Sequence, residues 1–373
     1  MNPPVQQPPE ALRILVRSTN WLGDAVMSTP ALLRLREKFP SAHIAIFTHE
    51  KLREIWLHHP AVNEVISFGG NEGFFSVIKK LRAEKFDIAL VLPNSPRSAL
   101  EVWASGIRQR IGYARPWRNF FLTHAIPTRP GHVAMHKRSA EEVKRLIAQP
   151  AQSPKPKTQN YSAHQIYEYL YLVGALGAKT ELLPPRLFVT ADEIEAARKK
   201  LGLAGITKPI YGLNPGAEYG PAKRWPVEQF IAAAKEIQQR TNCVWLIFGG
   251  KGDLALANLI QTAMGESSGI LNLAGKTSLR ELMSLLSQCR VLLTNDTGPM
   301  HVAAALGTPV IVPFGSTSPE LTGPGLPGDA RHRLLQSEVP CAPCFLRECP
   351  IDFRCMKSIT AERVVEAVGE LQS

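Results

Sequence analysis

The sequence predicts an α/β protein of two doubly wound, Rossmann-like domains facing each other across a central cleft. Three observations predict it. Short β-branched runs alternate with segments of helical spacing from Arg13 onward, the rhythm of βαβ units and a parallel sheet. The same rhythm restarts at Pro209. A chain of 373 residues also exceeds what one ordinary core organises. Ligands of such sheets gather outside the carboxyl ends of the strands, so the active site is expected in the cleft.

The elements follow in order. RILVR (Arg13 to Arg17) reads as a buried strand. Asp24 to Lys38 carries Val26, Leu32, Leu33 and Leu35 at helical spacing and predicts one helix. HIAIFT (His43 to Thr48), NEVISF (Asn63 to Phe68) and FDIALVL (Phe86 to Leu92) read as strands, with a helix over Gly73 to Glu84. A polar stretch from Arg129 to Tyr161, rich in Pro, Lys, Gln and Ser, predicts a long loop. A helix over His164 to Leu176 closes the first domain. A Pro-containing linker near Leu183 to Arg186, a strand-like RLFV and a helix over Ala191 to Leu201 follow.

In the second half, strands are expected at Pro209 to Asn214, Cys243 to Phe248, Ile270 to Leu273, Val291 to Thr294 and Val310 to Phe314. Helices are expected at Val227 to Arg240, Asp253 to Met264, Ser278 to Gln288 and Val302 to Leu306. The expected organisation is a disordered tail over 1–10, an N-terminal domain over 11–185 and a linker region over 186–205. A C-terminal domain over 206–357 and a last helix over 358–373 complete it.

Hydrophobic residues make up 45% and charged residues 20%, a soluble composition. No apolar run reaches the roughly 18 residues of a spanning helix. The tail MNPPVQQPPE lacks the pattern of a secretory signal, so a cytoplasmic protein is expected. The net charge of +11 attracts phosphates on lipid, nucleotide or nucleic acid. Its mild clusters are Arg108, Arg110, Arg115 and Arg118, then Lys137 and Arg138. They form no nucleic-acid module, and a solvated basic surface fits them equally.

Three segments can carry chemistry. Asn20-Trp21-Leu22-Gly23-Asp24 follows the first strand and opens a helix. Asp24 there suits either an N-cap or a general base aimed at a hydroxyl. Pro215 to Pro226 follows the first strand of the second domain, where the Lys223 ammonium can offset charge on a leaving diphosphate. Thr294 to His301 runs from a strand into a helix, whose free N–H groups and dipole favour an anion. Taken singly, capping explains Asp296 and Thr297, and a satisfied helix position explains His301. Neither strand–turn–helix unit carries G-x-G-x-x-G or a Walker loop, which argues against a dehydrogenase or an ATPase.

Together these segments resemble the bacterial lipopolysaccharide heptosyltransferases, glycosyltransferase family nine. The carriers are NWLGDAVMSTPAL, LPNSPRSAL (Leu92 to Leu100), NPGAEYGPAKRWP (Asn214 to Pro226) and TNDTGPMHVAAALGTPVIVPFG (Thr294 to Gly315). LPNSPRSAL and GPAKRWP resemble the heptosyltransferase II branch. The resemblance implies a GT-B fold, ADP-L-glycero-β-D-manno-heptose as donor and the first core heptose on Kdo-lipid A as acceptor, transferred with inversion. It implies Asp24 as base and Lys223 as the partner of the leaving ADP. Glu218, Asp296, Thr297, Gly298 and His301 join Lys223 around the donor. Asn20, Trp21, Gly23, Asn94, Ser95 and Arg97 are the expected acceptor contacts. No cofactor and no metal are expected, nor any nucleic-acid partner. A monomer in peripheral contact with the inner membrane surface is expected. Where some relatives carry a Glu near the ribose this sequence has Lys251 or Asp253, and the ribose contact is not assigned.

Cys243 and Cys289 sit in apolar contexts and read as core. Cys341, Cys344, Cys349 and Cys355 crowd together as Cys-x2-Cys-x4-Cys-x5-Cys. Four such thiols suit zinc or an iron–sulfur cluster, but the spacing fits no standard zinc template, and a structural loop is the favoured reading. Rival functions are heptosyltransferase I or III or another core glycosyltransferase, a sugar-nucleotide epimerase, and a non-catalytic nucleotide-sugar-binding protein.

Overall fold

A computed structural model describes residues 12–149, 161–265 and 269–371. The tail expected over 1–10 and part of the loop expected over Arg129 to Tyr161 lie outside the described residues. The chain divides into two compact units, Met1–Pro130 with Ile166–Leu182, and Gly131–Gln165 with Leu183–Ser373. Among the described residues, no helix is long and apolar enough to cross a membrane.

Each unit is built on a six-stranded parallel sheet. In the first, β1 (Arg13–Arg17), β2 (His43–His49), β3 (Glu64–Phe68), β4 (Ile88–Val91), β5 (Gln109–Tyr113) and β6 (His124–Ile126) lie in the order β3-β2-β1-β4-β5-β6. In the second, β7 (Ile210–Asn214), β8 (Val244–Ile247), β9 (Ile270–Asn272), β10 (Leu292–Thr294), β11 (Val310–Phe314) and β12 (Arg333–Gln336) lie in the order β12-β11-β10-β7-β8-β9. Read from its other edge, the second sheet repeats the winding of the first. The order reverses between β1 and β4, and again between β7 and β10. Those are the switch points at which doubly wound sheets bind ligands.

The central strands are covered on both faces, which is why they read as continuous apolar runs. The helices carry local stop and start signals. Thr190 with Glu193 and Ser278 with Glu281 form capping boxes, and Asn242 ends helix Val227–Thr241 in the left-handed conformation at φ 51°. Trp225, Phe230 and Trp245 anchor the second core, and Leu15, Phe47 and Val91 lie in the first.

Several elements differ from expectation. Asp24 to Lys38 is two helices, Leu22–Met27 and Thr29–Lys38. The Ser28 hydroxyl donates to the Ala25 carbonyl at 2.7 Å, and Pro30 offers no N–H to continue the first helix. RLFV forms no strand, since Pro184 and Pro185 before it remove ladder donors; Leu187 is held by one bond from its N–H to the Ala305 carbonyl. Strands β5, β6 and β12 and helix Pro96–Ala104 were hidden by polar residues at half-exposed positions. The polar stretch after Arg129 contains helix Ala140–Ala148, capped by Ser139 and anchored by the buried Val143. That stretch groups with the second unit, because Arg138 donates from N to the Cys344 carbonyl and from Nη1 to the Pro340 carbonyl, at 3.1 and 3.0 Å. The last helix is Ala361–Glu370.

Arg17, at the end of β1, is buried with its ion partner Glu101. Its Nε donates to Glu101 Oε2 at 3.1 Å, and its Nη1 to the Ser18 carbonyl and Asn20 Oδ1 at 2.6 and 3.2 Å. The guanidinium also lies over the rings of Phe47 and Phe68, at 5.2 and 4.7 Å. A Glu101→Ala substitution strands a buried cation, so the chain should lose about 3 kcal/mol of stability in urea unfolding. A loss below about 1 kcal/mol would show that the carbonyl and the rings suffice to hold Arg17.

Candidate active site

In the second unit the switch point is closed by side chains from both strand ends. Asn214, the last residue of β7, donates from Nδ2 to Thr294 Oγ1 on β10 at 3.1 Å. Buried Asn295 donates from Nδ2 to the Pro215 and Gly216 carbonyls at 2.7 and 3.3 Å, and its Oδ1 accepts from the Trp225 N–H at 2.9 Å. One amide thereby holds both ends of the loop that carries Lys223.

Lys223 and Asp296 meet in that loop's bend. Lys223 Nζ donates to Asp296 Oδ2 at 2.7 Å, with the side chains 15% and 5% exposed. Thr317 Oγ1, following β11, donates to the same oxygen at 2.7 Å. Two cations lie over the Tyr219 ring, Lys223 Nζ and Arg347 Cζ each 5.0 Å from its centroid. The Tyr219 hydroxyl donates to the Phe345 carbonyl at 3.1 Å, and the Ala222 N–H to the Arg347 carbonyl at 3.0 Å. Any side chain at Gly220 would start 2.5 Å from that carbonyl, so only glycine fits.

Helix Gly298–Ala305 begins beside this pair. Its N-cap, Thr297, makes no side-chain capping bond, and Asp296 is committed to Lys223 and Thr317. Capping therefore does not account for these two residues. His301 is buried, and burial pushes its pKa down to about 4, with Asp296 opposing. It is a neutral imidazole at physiological pH. His164 behaves alike; burial lowers it to about 4, and its Nε2 lies 3.0 Å from the Gly323 carbonyl. Glu218 is exposed on the same loop. Asp253 Oδ2 accepts from the Gly250 N–H at 2.9 Å and lies against Gly216, where a Cβ would stand 2.5 Å from the carboxylate.

In the first unit, Asp24 lies in the first turn of helix Leu22–Met27, inside the N-cap Trp21 rather than at it. Negative charge is favoured at that end of a helix. The Tyr169 hydroxyl donates to Asp24 Oδ1 at 3.2 Å. Gly23 shares that turn, and half-exposed Trp21 lies under Lys51 Nζ at 5.7 Å. Asn20 is held by Arg17, while Arg97 Nε reaches Glu101 Oε1 at 3.1 Å, so Glu101 joins the two expected acceptor residues. Ser95 is the N-cap of helix Pro96–Ala104, its Oγ accepting from the Ser98 N–H at 3.3 Å. Asn94 Oδ1 accepts from Arg118 Nη1 at 3.2 Å. Of the expected arginine surface, Arg118 is buried and Arg110 is tied to the Phe121 carbonyl; Arg108 remains exposed.

The sequence missed Asn295, Thr317, Tyr219, Arg347 and Tyr169. Asn295 and Tyr219 lay inside the motifs already singled out. Thr317, Arg347 and Tyr169 carried no local signal, since they reach the site from distant elements. Cys243 and Cys289 are buried core thiols as expected. Cys341 and Cys344 pack against Val143, and burial raises both thiols, as it raises Cys355 to about 12. Among the described residues, no group of three or more His, Cys, Asp or Glu is arranged to hold a metal ion.

The sequence profile of glycosyltransferase family 9 (heptosyltransferase) matches residues 74–353. The chain is 30% identical over 321 residues to lipopolysaccharide heptosyltransferase 2 of Escherichia coli (strain K12), covering 84% of this chain and 85% of that one. It is 29% identical over 325 residues to lipooligosaccharide heptosyltransferase 2 of Haemophilus ducreyi, covering 84% and 86%. The solved structure of the Escherichia coli ADP-heptose lipopolysaccharide heptosyltransferase II superposes with a TM-score of 0.75 at 28% identity, over 96% of this chain and 98% of that one.

Two outcomes test this geometry. An Asn295→Ala substitution should raise amide exchange across the loop from Pro215 to Trp225 by at least about tenfold, since each lost bond is worth roughly 1 kcal/mol. Unchanged exchange would deny Asn295 its holding role. The buried histidines set an acid response. Unfolded, each takes its proton near pH 6.5; folded, His301 and His164 stay neutral to about pH 4. The unfolded state binds more protons between those values, so stability is lost as pH falls from 6.5 to 4. The thermal midpoint should drop through that window, with a shallower slope in His164→Gln.

Proposed function

The chain belongs to glycosyltransferase family 9, the heptosyltransferase family, and from that membership we propose that it transfers heptose from ADP-L-glycero-β-D-manno-heptose to the first heptose of the lipopolysaccharide inner core, with inversion. The observation that carries this reading is the Lys223–Asp296 pair at the β7/β10 switch point, set beside the start of helix Gly298–Ala305. A fixed ammonium and a helix N-terminus together meet the charge that grows on a departing diphosphate. No divalent metal is needed for that role. Thr297 and Gly298 offer a hydroxyl and a backbone N–H to the phosphates, and neutral His301 offers a hydrogen bond. Glu218 lies by the donor sugar. Asp296 acts by positioning Lys223.

The acceptor side uses Asp24. Its carboxylate takes the proton of the acceptor hydroxyl, that oxygen bonds to the anomeric carbon, and the bond from this carbon to the diphosphate oxygen breaks. ADP leaves with the electron pair, and the proton rests on Asp24. Tyr169 orients the carboxylate by its bond to Oδ1. Asn20, Trp21, Gly23, Asn94 and Arg97 contact the acceptor sugars, while Ser95 contributes through the helix it caps. The enzyme works as a monomer on the cytoplasmic face of the inner membrane.

The test is ADP release from ADP-heptose, with and without an acceptor lipopolysaccharide lacking the second heptose. Release should require that acceptor. Release without it, or with an acceptor lacking both heptoses, would overturn the assigned transfer. Asp24→Ala should lower transfer at least about a hundredfold while leaving ADP affinity within twofold. Lys223→Ala should weaken both donor binding and turnover. Equal loss of ADP affinity and transfer in Asp24→Ala would remove the base assignment.

A further inference from the structure

The connection from β5 to β6 exposes two aromatic rings on a rigid base. Trp117 is 89% and Phe120 82% exposed, three residues apart. Water disfavours such rings, and a soluble surface rarely sets two so close. The loop is not loosely held. Between the rings, Arg118 is buried, its Nη1 on Asn94 Oδ1 at 3.2 Å. Gly112 lets the guanidinium lie on β5, since a Cβ there would stand 2.8 Å from Arg118 Nη2. The Arg115 N–H donates to Asn119 Oδ1 at 2.8 Å, and the Phe121 N–H to the Arg118 carbonyl at 2.9 Å. Trp117 has φ 62°, a left-handed backbone costly for a residue with a bulky side chain. The fold thus fixes a strained residue in place with its indole turned outward.

The charge around the rings has one sign. From Val102 to Pro130 the sequence holds Arg108, Arg110, Arg115, Arg118 and Arg129, and no Asp or Glu. Arg129 is paired with Glu168, and Arg110 and Arg118 turn inward, which leaves exposed Arg108, just before β5, and half-buried Arg115, whose Nη1 donates to the Ala114 carbonyl and Thr128 Oγ1 at 2.8 and 3.1 Å. Exposed aromatics within an acid-free basic stretch match the headgroup region of an anionic bilayer. There the rings sit at the interface and the arginines meet lipid phosphates. The connection leaves β5 at its carboxyl end, the edge of the sheet that also bears Asp24 and Asn94.

We propose that Trp117 and Phe120, with Arg108 and Arg115, form the surface by which the protein docks on an anionic membrane. The proposal rests on the reading that the acceptor is lipid-anchored, and it names the contact that brings the base edge of the sheet to that lipid.

The test is co-sedimentation of the full chain with phosphatidylethanolamine–phosphatidylglycerol vesicles and with phosphatidylcholine vesicles. It is paired with turnover on a water-soluble, deacylated acceptor. The wild type should bind the anionic vesicles and release in high salt. The double variant Trp117→Ala, Phe120→Ala should bind at least about tenfold more weakly, with soluble turnover within twofold. Arg108→Glu should weaken binding about fivefold or more. Equal binding by the double variant, or wild-type binding indifferent to lipid charge, would overturn the proposal. So would loss of self-association in the double variant with vesicle binding intact, which would make the rings a contact between copies. Absence of heptosyl turnover in the wild type, with vesicle binding as expected, would instead undo the transferase reading and leave the docking surface standing.

Discussion

The carboxylate of Asp296 is almost wholly out of water, and a charge in that position must be matched by a partner. Most of the second unit's site follows from that requirement. The partner, Lys223, is not on a neighbouring strand but on a loop, so the loop must bend back over the strand ends and stay there. Asn295 fastens both ends of it, Tyr219 hangs it from the Phe345 carbonyl, and Gly220 gives up a side chain to let the backbone reach Arg347. Thr317 adds a second donor to the same oxygen, which holds the carboxylate still while Lys223 leans on it. An ammonium has three donors, and the bond to Asp296 fixes its position with one of them.

The first unit solves a related problem with the same winding. Arg17 ends β1 and Glu101 lies on the helix that follows β4, so their buried pair ties together the two chain segments that part at the switch point. In the second unit the corresponding segments follow β7 and β10, and they are tied by Lys223 and Asp296. The difference lies in the cation. A guanidinium at a strand end, over two rings and bonded to a carbonyl, is a fixed structural group. The ammonium at the loop bend is a compact point charge, held in place by one carboxylate rather than by a strand end and two rings.

The doubly wound character of both halves was legible because covered parallel strands must be apolar throughout. The apolar runs Ile14 to Val16, Ile88 to Leu92 and Val310 to Phe314 state their burial residue by residue. The motifs around Asp24, Lys223 and Asp296 were legible too, since each sits where a strand opens into a turn. QRIGY and RLLQ were not, because strands near a sheet edge tolerate polar residues and lose the pattern. The break at Ser28 was masked by apolar spacing that runs through both helices. The partners of the site residues were the least legible. Tyr169 is 145 positions from Asp24, and Thr317 is 21 from Asp296, so only the closed fold brings them together. Buried Arg118 shows the converse: in sequence it belongs to a basic cluster, and in the fold it anchors a loop.

Parallel winding also constrains where an acceptor can be met. Every connection that leaves a strand end of the first sheet starts from one edge, so the turn bearing Asp24, the turn bearing Asn94 and the loop bearing Trp117 share that edge. If Asp24 is the base and the acceptor is lipid-anchored, as proposed above, the anchor must be held near this edge. Placing membrane-seeking rings on the next connection of the same sheet achieves this without another domain or a spanning helix. The left-handed backbone of Trp117 and the buried arginine beneath it are then consequences of one demand, that an apolar side chain be held out into water until a bilayer covers it.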